Sequence, residues 1–204
     1  MKKIILSTFA ILSFVFSAAD ESKAAAKVGE KAPEIKAVDS NGEEFNLSNY
    51  EGNIVVLEWT NKECPFVVKH YKTDNMQNLQ KKYAEKDVVW VTVVSSAPGK
   101  QGHLESGEEA NKVAKEQGAE PTHIIRDESG EIGKAYGAKT TPHMYVIDAQ
   151  GMVAYMGAID SISSADSADV EKAENYVVAA IDSLIAGEKV ETAVTTPYGC
   201  GVKY

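Results

Sequence analysis

The chain holds two cysteines, Cys64 and Cys200, in different surroundings. Cys64 lies in the run Asn53–Tyr71, NIVVLEWTNKECPFVVKHY, directly before Pro65. A proline at the first helical position has a suitable φ and gives up no needed N–H, so Pro65 marks a helix start with Cys64 as its N-cap. A thiol there meets unpaired backbone N–H groups and the positive end of the helix dipole, and both favour thiolate. Lys62 and Lys69 add positive charge nearby, and Glu63 opposes it. The chemistry this permits is nucleophilic, with a thiolate attacking a disulfide or a peroxide. The bland alternative is an inert core cysteine, which has no need of a helix N-terminus.

Cys200 lies far along the chain in Pro197-Tyr198-Gly199-Cys200-Gly201. Its flanking glycines let the backbone bend and approach closely. The N-terminus supplies a reason to expect pairing. Lys2 and Lys3, the apolar run Ile4–Phe16 and the small residues Ser17-Ala18-Ala19 form an export signal, cut most simply after Ala19, with no stable membrane span after processing. That places the chain in the periplasm or outside the cell, where disulfides persist. An even cysteine count in an exported chain favours a Cys64–Cys200 bond. It would be a redox-active pair with Cys200 resolving, or a staple worth roughly 4–5 kcal/mol in the chain-entropy model; two separate thiols are the third possibility.

The elements around these residues follow from periodicity. Ile54–Trp59 and Val88–Val94 are apolar, β-branched runs that read as buried strands. Ile35–Val38 and Glu44–Leu47 flank the Ser40-Asn41-Gly42 turn as a hairpin. The helix opened by Pro65 breaks near Thr73-Asp74-Asn75, and a second segment with Met76, Leu79 and Tyr83 on one face reaches about Lys86. Ser95–Gly107 is a long loop carrying His103. A helix over Glu108–Gln117, a strand over His123–Arg126 and a short helix over Glu131–Tyr136 come next, followed by a hairpin of Met144–Asp148 and Met152–Ile159. Asp169 is expected to cap a last long helix with Val170, Ala173, Val177, Ile181 and Leu184 buried. The expected organisation is a signal peptide (1–19), a flexible lead-in (20–32), one α/β domain (33–187) and a tail (188–204). A hydrophobic content of 44% suffices for a core, and a net charge of −9 argues against nucleic acid and anionic membranes as partners.

A strand, a loop and a Cys-Pro helix start, with Thr141-Pro142 just before the late hairpin, resemble the thioredoxin-like superfamily, and within it the AhpC/TSA redoxin branch and the extracytoplasmic thiol–disulfide proteins. The resemblance covers roughly residues 33–187 and implies a thioredoxin-like fold, a mixed sheet flanked by helices, with additions at the N-terminus, mid-chain and C-terminus. It also implies a cis Pro142 packed against Cys64, with the Thr141 backbone receiving a partner sulfur. By the same resemblance Glu58 is a buried carboxylate that moves protons for the thiol; the alternative is a solvated glutamate. The pattern departs from Cys-x-x-Cys, because Val67 stands where the second cysteine would be. It departs from the peroxidase motif too: Asn61 holds the threonine's place, and the one candidate arginine, Arg126, is on an earlier strand.

Three functions are therefore in view. One is thiol–disulfide exchange with protein thiols or disulfides through Cys64. Another is peroxide reduction at Cys64. The third is non-catalytic binding, for which Cys64, His70 and His143 are the candidate metal ligands; their spacing matches no metal motif. No cofactor is expected.

Overall fold

A computed structural model describes residues 25–204; the expected signal segment lies outside the described residues. Two short strands, β1 (Lys36–Val38) and β2 (Glu44–Asn46), form the expected N-terminal hairpin. The central strand β3 (Val55–Trp59) pairs in parallel with β4 (Val89–Val94), which pairs in parallel with β5 (His123–Arg126). On its other side β3 pairs antiparallel with β7 (His143–Ile147), and β7 with β8 (Val153–Gly157). The sheet order is thus β5-β4-β3-β7-β8. Every residue of β3, β4 and β7 is buried, as near-continuous apolar runs require when both faces of a sheet are covered.

One face of the sheet packs Leu57, Trp59, Val91, Tyr145 and Tyr136. The other packs Val56, Trp90, Met144 and Val146 against α1 (Pro65–Lys72), α2 (Asn75–Ala84) and α5 (Tyr176–Ile185). Met76, Leu79 and Tyr83 are buried as the periodicity of α2 requires, and Asp74, at φ 54°, turns the chain between α1 and α2. Two further helices, α3 (Gly107–Gln117) and α4 (Glu131–Tyr136), follow β4 and β5, and each ends on a left-handed glycine.

Two expectations differ from what is found. The last helix starts at Tyr176, capped by the Asn175 side chain on Val178 N–H, and not at Asp169. The chain from Ser161 to Asn175 is pinned against that continuation. Ser161 N–H donates to Glu174 C=O at 3.0 Å and Tyr176 N–H to Ile159 C=O at 3.0 Å, and Ala173 is extended. Asp169 instead lies in a 3-10 turn, Ser167–Lys172, with Val170 and Ala173 only half-buried. Residues 26–32, expected as part of a lead-in, pack on the domain: Ala26 N–H bonds Ala135 C=O of α4, Gly29 N–H bonds Val153 C=O of β8 and Ala32 N–H bonds Gly151 C=O in the turn before β8. The segment after α5 also packs back. Met156 N–H bonds Ala193 C=O, and a two-residue strand β9 (Cys200–Gly201) pairs antiparallel with β6 (Thr140–Thr141).

Candidate active site

The C-terminal end of β3 delivers the chain to Cys64 through Thr60–Glu63. Asn61 shapes that loop. Its side chain accepts from Glu63 N–H at 2.9 Å, its C=O accepts from Cys64 N–H at 3.0 Å, and its amide donates to Gln101 C=O at 3.2 Å. The last contact docks the Ser95–Gly107 loop on the cysteine loop, and it is close: a Cβ on Gly102 would lie 2.2 Å from Asn61 Oδ1. His103 bonds Ser96 C=O at 3.0 Å and takes no part in the cysteine site.

Cys64 is the N-cap of α1, with Pro65 at the first helical position, and it is fully buried. The Thr141–Pro142 peptide is cis. The Cys64 thiol lies 3.0 Å from Thr141 C=O, so the threonine carbonyl meets the sulfur directly. On the same threonine, β6 pairs with β9 and sets Cys200 opposite Thr141. The result is a Cys64–Cys200 Sγ–Sγ distance of 2.7 Å between two unbonded thiols, about 0.65 Å longer than a disulfide bond. Gly199 makes this approach possible. Its φ is +136°, and a Cβ there would lie 2.0 Å from Thr141 O.

The two thiols are electrostatically unequal. Burial pushes Cys64 up, but hydrogen bonds from Cys200, Val67 N–H and Thr141 outweigh it, and its pKa falls below the ordinary cysteine value. Burial, together with the neighbouring Cys64 sulfur, pushes Cys200 up to about 11. Cys64 is therefore the more acidic of the two thiols. The lysines expected to assist do not: Lys62 is paired with Glu109 at 2.8 Å, and Lys69 is turned to Asp160.

Glu58 is buried on the same face of the sheet as α1. It accepts from Tyr71 OH at 2.8 Å and Trp90 Nε1–H at 2.9 Å, with Gln80 at 3.5 Å. Burial raises its pKa despite these bonds. It reaches α1 through Tyr71 and makes no hydrogen bond to Cys64 among the described residues, so a proton would have to travel between the two through an intermediary. The histidines separate. His70 lies on α1, while His143 packs on Tyr145 on the opposite face of the sheet, with burial holding each near a pKa of about 4. Among the described residues no group of three or more His, Cys, Asp or Glu is arranged to hold a metal ion. Arg126 bonds Leu104 C=O and Glu128.

Sequence reasoning missed a polar cluster on the outer side of α1. Asp160, 3% exposed, accepts from Tyr198 OH and lies 3.5 Å from Lys69 Nζ and 3.6 Å from His70 Nε2. Lys69, 1% exposed, also donates to Ile162 C=O at 3.2 Å. Tyr198 meets Phe66 edge-on at 5.8 Å. Its position two residues before Cys200 was the available signal; nothing in the sequence marks Asp160.

The family model for redoxins matches residues 27–176. The chain belongs to the redoxin family. No curated protein matches it. Among solved structures, this redoxin is similar to a hypothetical protein from Sinorhizobium meliloti, at 22% identity, covering 89% of this chain and 96% of the other with a TM-score of 0.70. An uncharacterized conserved protein from Geobacillus kaustophilus aligns at 26% identity, over 87% and 92% of the chains, with a TM-score of 0.69. A protein from Chlorobium tepidum, provisionally assigned as thiol:disulfide interchange protein DsbE, aligns at 23% identity over 79% and 99%, with a TM-score of 0.57. The redoxin fold is thus thioredoxin-like, and the family supports redox chemistry in general. No helix of the described residues is long and apolar enough to cross a membrane.

Proposed function

We propose that this redoxin is an exported, periplasmic thiol–disulfide oxidoreductase that exchanges disulfides with protein partners through Cys64 and resolves them with Cys200. The reading takes residues 1–19 as a cleaved signal peptide. The observation that carries it is the pair of sulfurs 2.7 Å apart beside Pro142, with Cys64 the more acidic. The Cys64 thiolate attacks a partner disulfide, forming a mixed disulfide and releasing one partner sulfur as thiolate. Cys200 then loses its proton and attacks Cys64 Sγ. The Cys64–Cys200 bond forms, the Cys64–partner bond breaks, and the second partner sulfur leaves and is protonated. The partner disulfide gains two electrons and the protein dithiol loses two; a dithiol partner drives the same steps in reverse.

Peroxide reduction would need donors arrayed around the leaving oxygen. Arg126 and Lys62 are both engaged in other pairs. The deciding experiment is a glutathione redox titration with non-reducing mass mapping, run beside a peroxide-consumption assay. A Cys64–Cys200 disulfide that opens in the periplasmic working range, above about −300 mV, is expected. Two thiols that stay free in the oxidised monomer, or turnover of peroxide without disulfide exchange, would overturn the proposal.

A further inference from the structure

Cys200 is flanked by glycines, and the segment that carries it has little regular structure of its own. Its position is therefore set from outside. Downstream, Val202 N–H bonds Lys139 C=O, Lys203 C=O accepts from Ala97 N–H, and Tyr204 OH bonds Ala138 C=O at 2.8 Å. Upstream, Thr195 is held by Tyr155 OH and Ala158 N–H. Between Thr195 and Cys200, Tyr198 is the side chain that reaches α1. It does so through a socket whose walls, Phe66, Lys69 and His70, stand on the helix that Cys64 opens.

The socket's chemistry argues for a purpose beyond packing. A tyrosine ring can be buried in an apolar pocket at little cost, whereas burying Lys69 and Asp160 together costs solvation that their mutual attraction barely returns. What the charges add is direction. The Tyr198 hydroxyl donates to Asp160 Oδ1, Ile162 N–H donates to the same oxygen, and Oδ2 faces Lys69 and His70, so the phenol has one place to go. A cysteine two residues further on inherits that placement.

We propose that Tyr198, held by Asp160, is a positioning residue that keeps Cys200 within bonding reach of Cys64 by tying the Cys200 segment to the helix that Cys64 opens. The proposal deepens the proposed function and rests on it, because it assumes that Cys200 resolves disulfides at Cys64. With the anchor in place, the ordering of Cys200 is complete before the disulfide closes. Without it, Cys200 is held by the pairing of β9 with β6 but its upstream side, Thr196–Gly199, is not tied to α1, so closing the bond must also order that stretch and the pair becomes harder to oxidise.

The test is the equilibrium constant of the full-length protein with glutathione, which measures the effective concentration of Cys200 at Cys64. Tyr198→Phe deletes the hydroxyl and keeps the ring against Phe66, so the fold is retained. A loss of stability shared by the oxidised and reduced forms cancels in this equilibrium, so a merely structural tyrosine would not move it. The expected result for Tyr198→Phe is a constant at least tenfold lower, a potential shift of about 30 mV for this two-electron couple. Asp160→Asn, which keeps an acceptor for the phenol, should fall between Tyr198→Phe and the unaltered protein. A Tyr198→Phe constant within threefold of the unaltered protein overturns the positioning role and leaves the proposed function standing. If the unaltered protein forms no Cys64–Cys200 disulfide, the proposed function fails and this inference fails with it.

Discussion

Replacing Gly199 with alanine asks more of the structure than its size suggests. The new Cβ would lie 2.0 Å from Thr141 O and 2.8 Å from Thr141 C. Reaching ordinary contact at 3.4 Å requires a movement of about 1.4 Å. Thr141 cannot supply it, being buried in β6 with its carbonyl against the Cys64 thiol. The backbone at 199 is also at φ +136°, which an L side chain adopts at a cost of about 1–3 kcal/mol. Overpacking contributes about 1–3 kcal/mol more. Lifting β9 away from β6 relieves both terms, and it takes Cys200 out of reach of Cys64. Even the lower bound, about 2 kcal/mol, is about a 30-fold change in an equilibrium constant. Gly199→Ala should therefore lower the constant for Cys64–Cys200 disulfide formation against glutathione by that factor or more, and should open Cys64 to alkylating reagents. A constant within threefold of the unaltered protein, with Cys64 still shielded, would show that the segment tolerates the methyl and that the close approach at Thr141 does not set the sulfur geometry.

Three more predictions concern groups around the site. A thiolate absorbance titration of the reduced protein should show two steps belonging to the pair, one below the ordinary cysteine value and one at about 11. In Cys64→Ser the remaining step should move down from about 11 yet stay above the ordinary value, since burial outranks the Cys64 sulfur as a cause; no movement would deny the coupling. Glu58 binds its proton more tightly folded than unfolded, so its contribution to stability is full below the unfolded value of about 4.3 and is lost as pH rises through the folded value. Glu58→Gln should flatten that decline in urea-unfolding free energy as pH rises above about 4.3, and an unchanged slope would count against a raised Glu58 pKa. Asp160→Ala leaves Lys69 buried without its counter-charge and should cost about 3–5 kcal/mol in urea unfolding. The double variant Lys69→Met/Asp160→Ala should cost less than the sum of the two single changes, and strict additivity would contradict the buried-pair reading.

How far the sequence reaches can be seen residue by residue. The strand–loop–helix around Cys64 was legible because Pro65 and the β-branched run before it act locally, and β3, β4 and α1 lie where those signals place them. Resemblance, not periodicity, supplied the cis peptide at Pro142. The start of α5 was misjudged because Asp169 and Asn175 are both good caps, and the choice was made by Ser161 and Ile159, which bond Glu174 and Tyr176. The acidity of Cys64 was expected, but with lysines as part of the cause. Those lysines found Glu109 and Asp160, partners 47 and 91 residues away that no local rule could name. Asp160 itself carries no sequence signal, since a lone aspartate after a strand is ordinarily solvated.

The two sulfurs are 136 residues apart along the chain. In an unfolded chain that separation makes their encounter rare, and the closing of so long a loop carries an entropy cost that only the native topology removes. On the proposed function, oxidation of the pair and docking of β9 on β6 are thermodynamically linked. Whatever stabilises that docking would make the protein a weaker oxidant, and whatever loosens it a stronger one. A cysteine pair held within one helical turn reports only on its helix. On the proposed function, the potential of this pair would instead report on whether β9 has docked on β6, across 136 residues of chain.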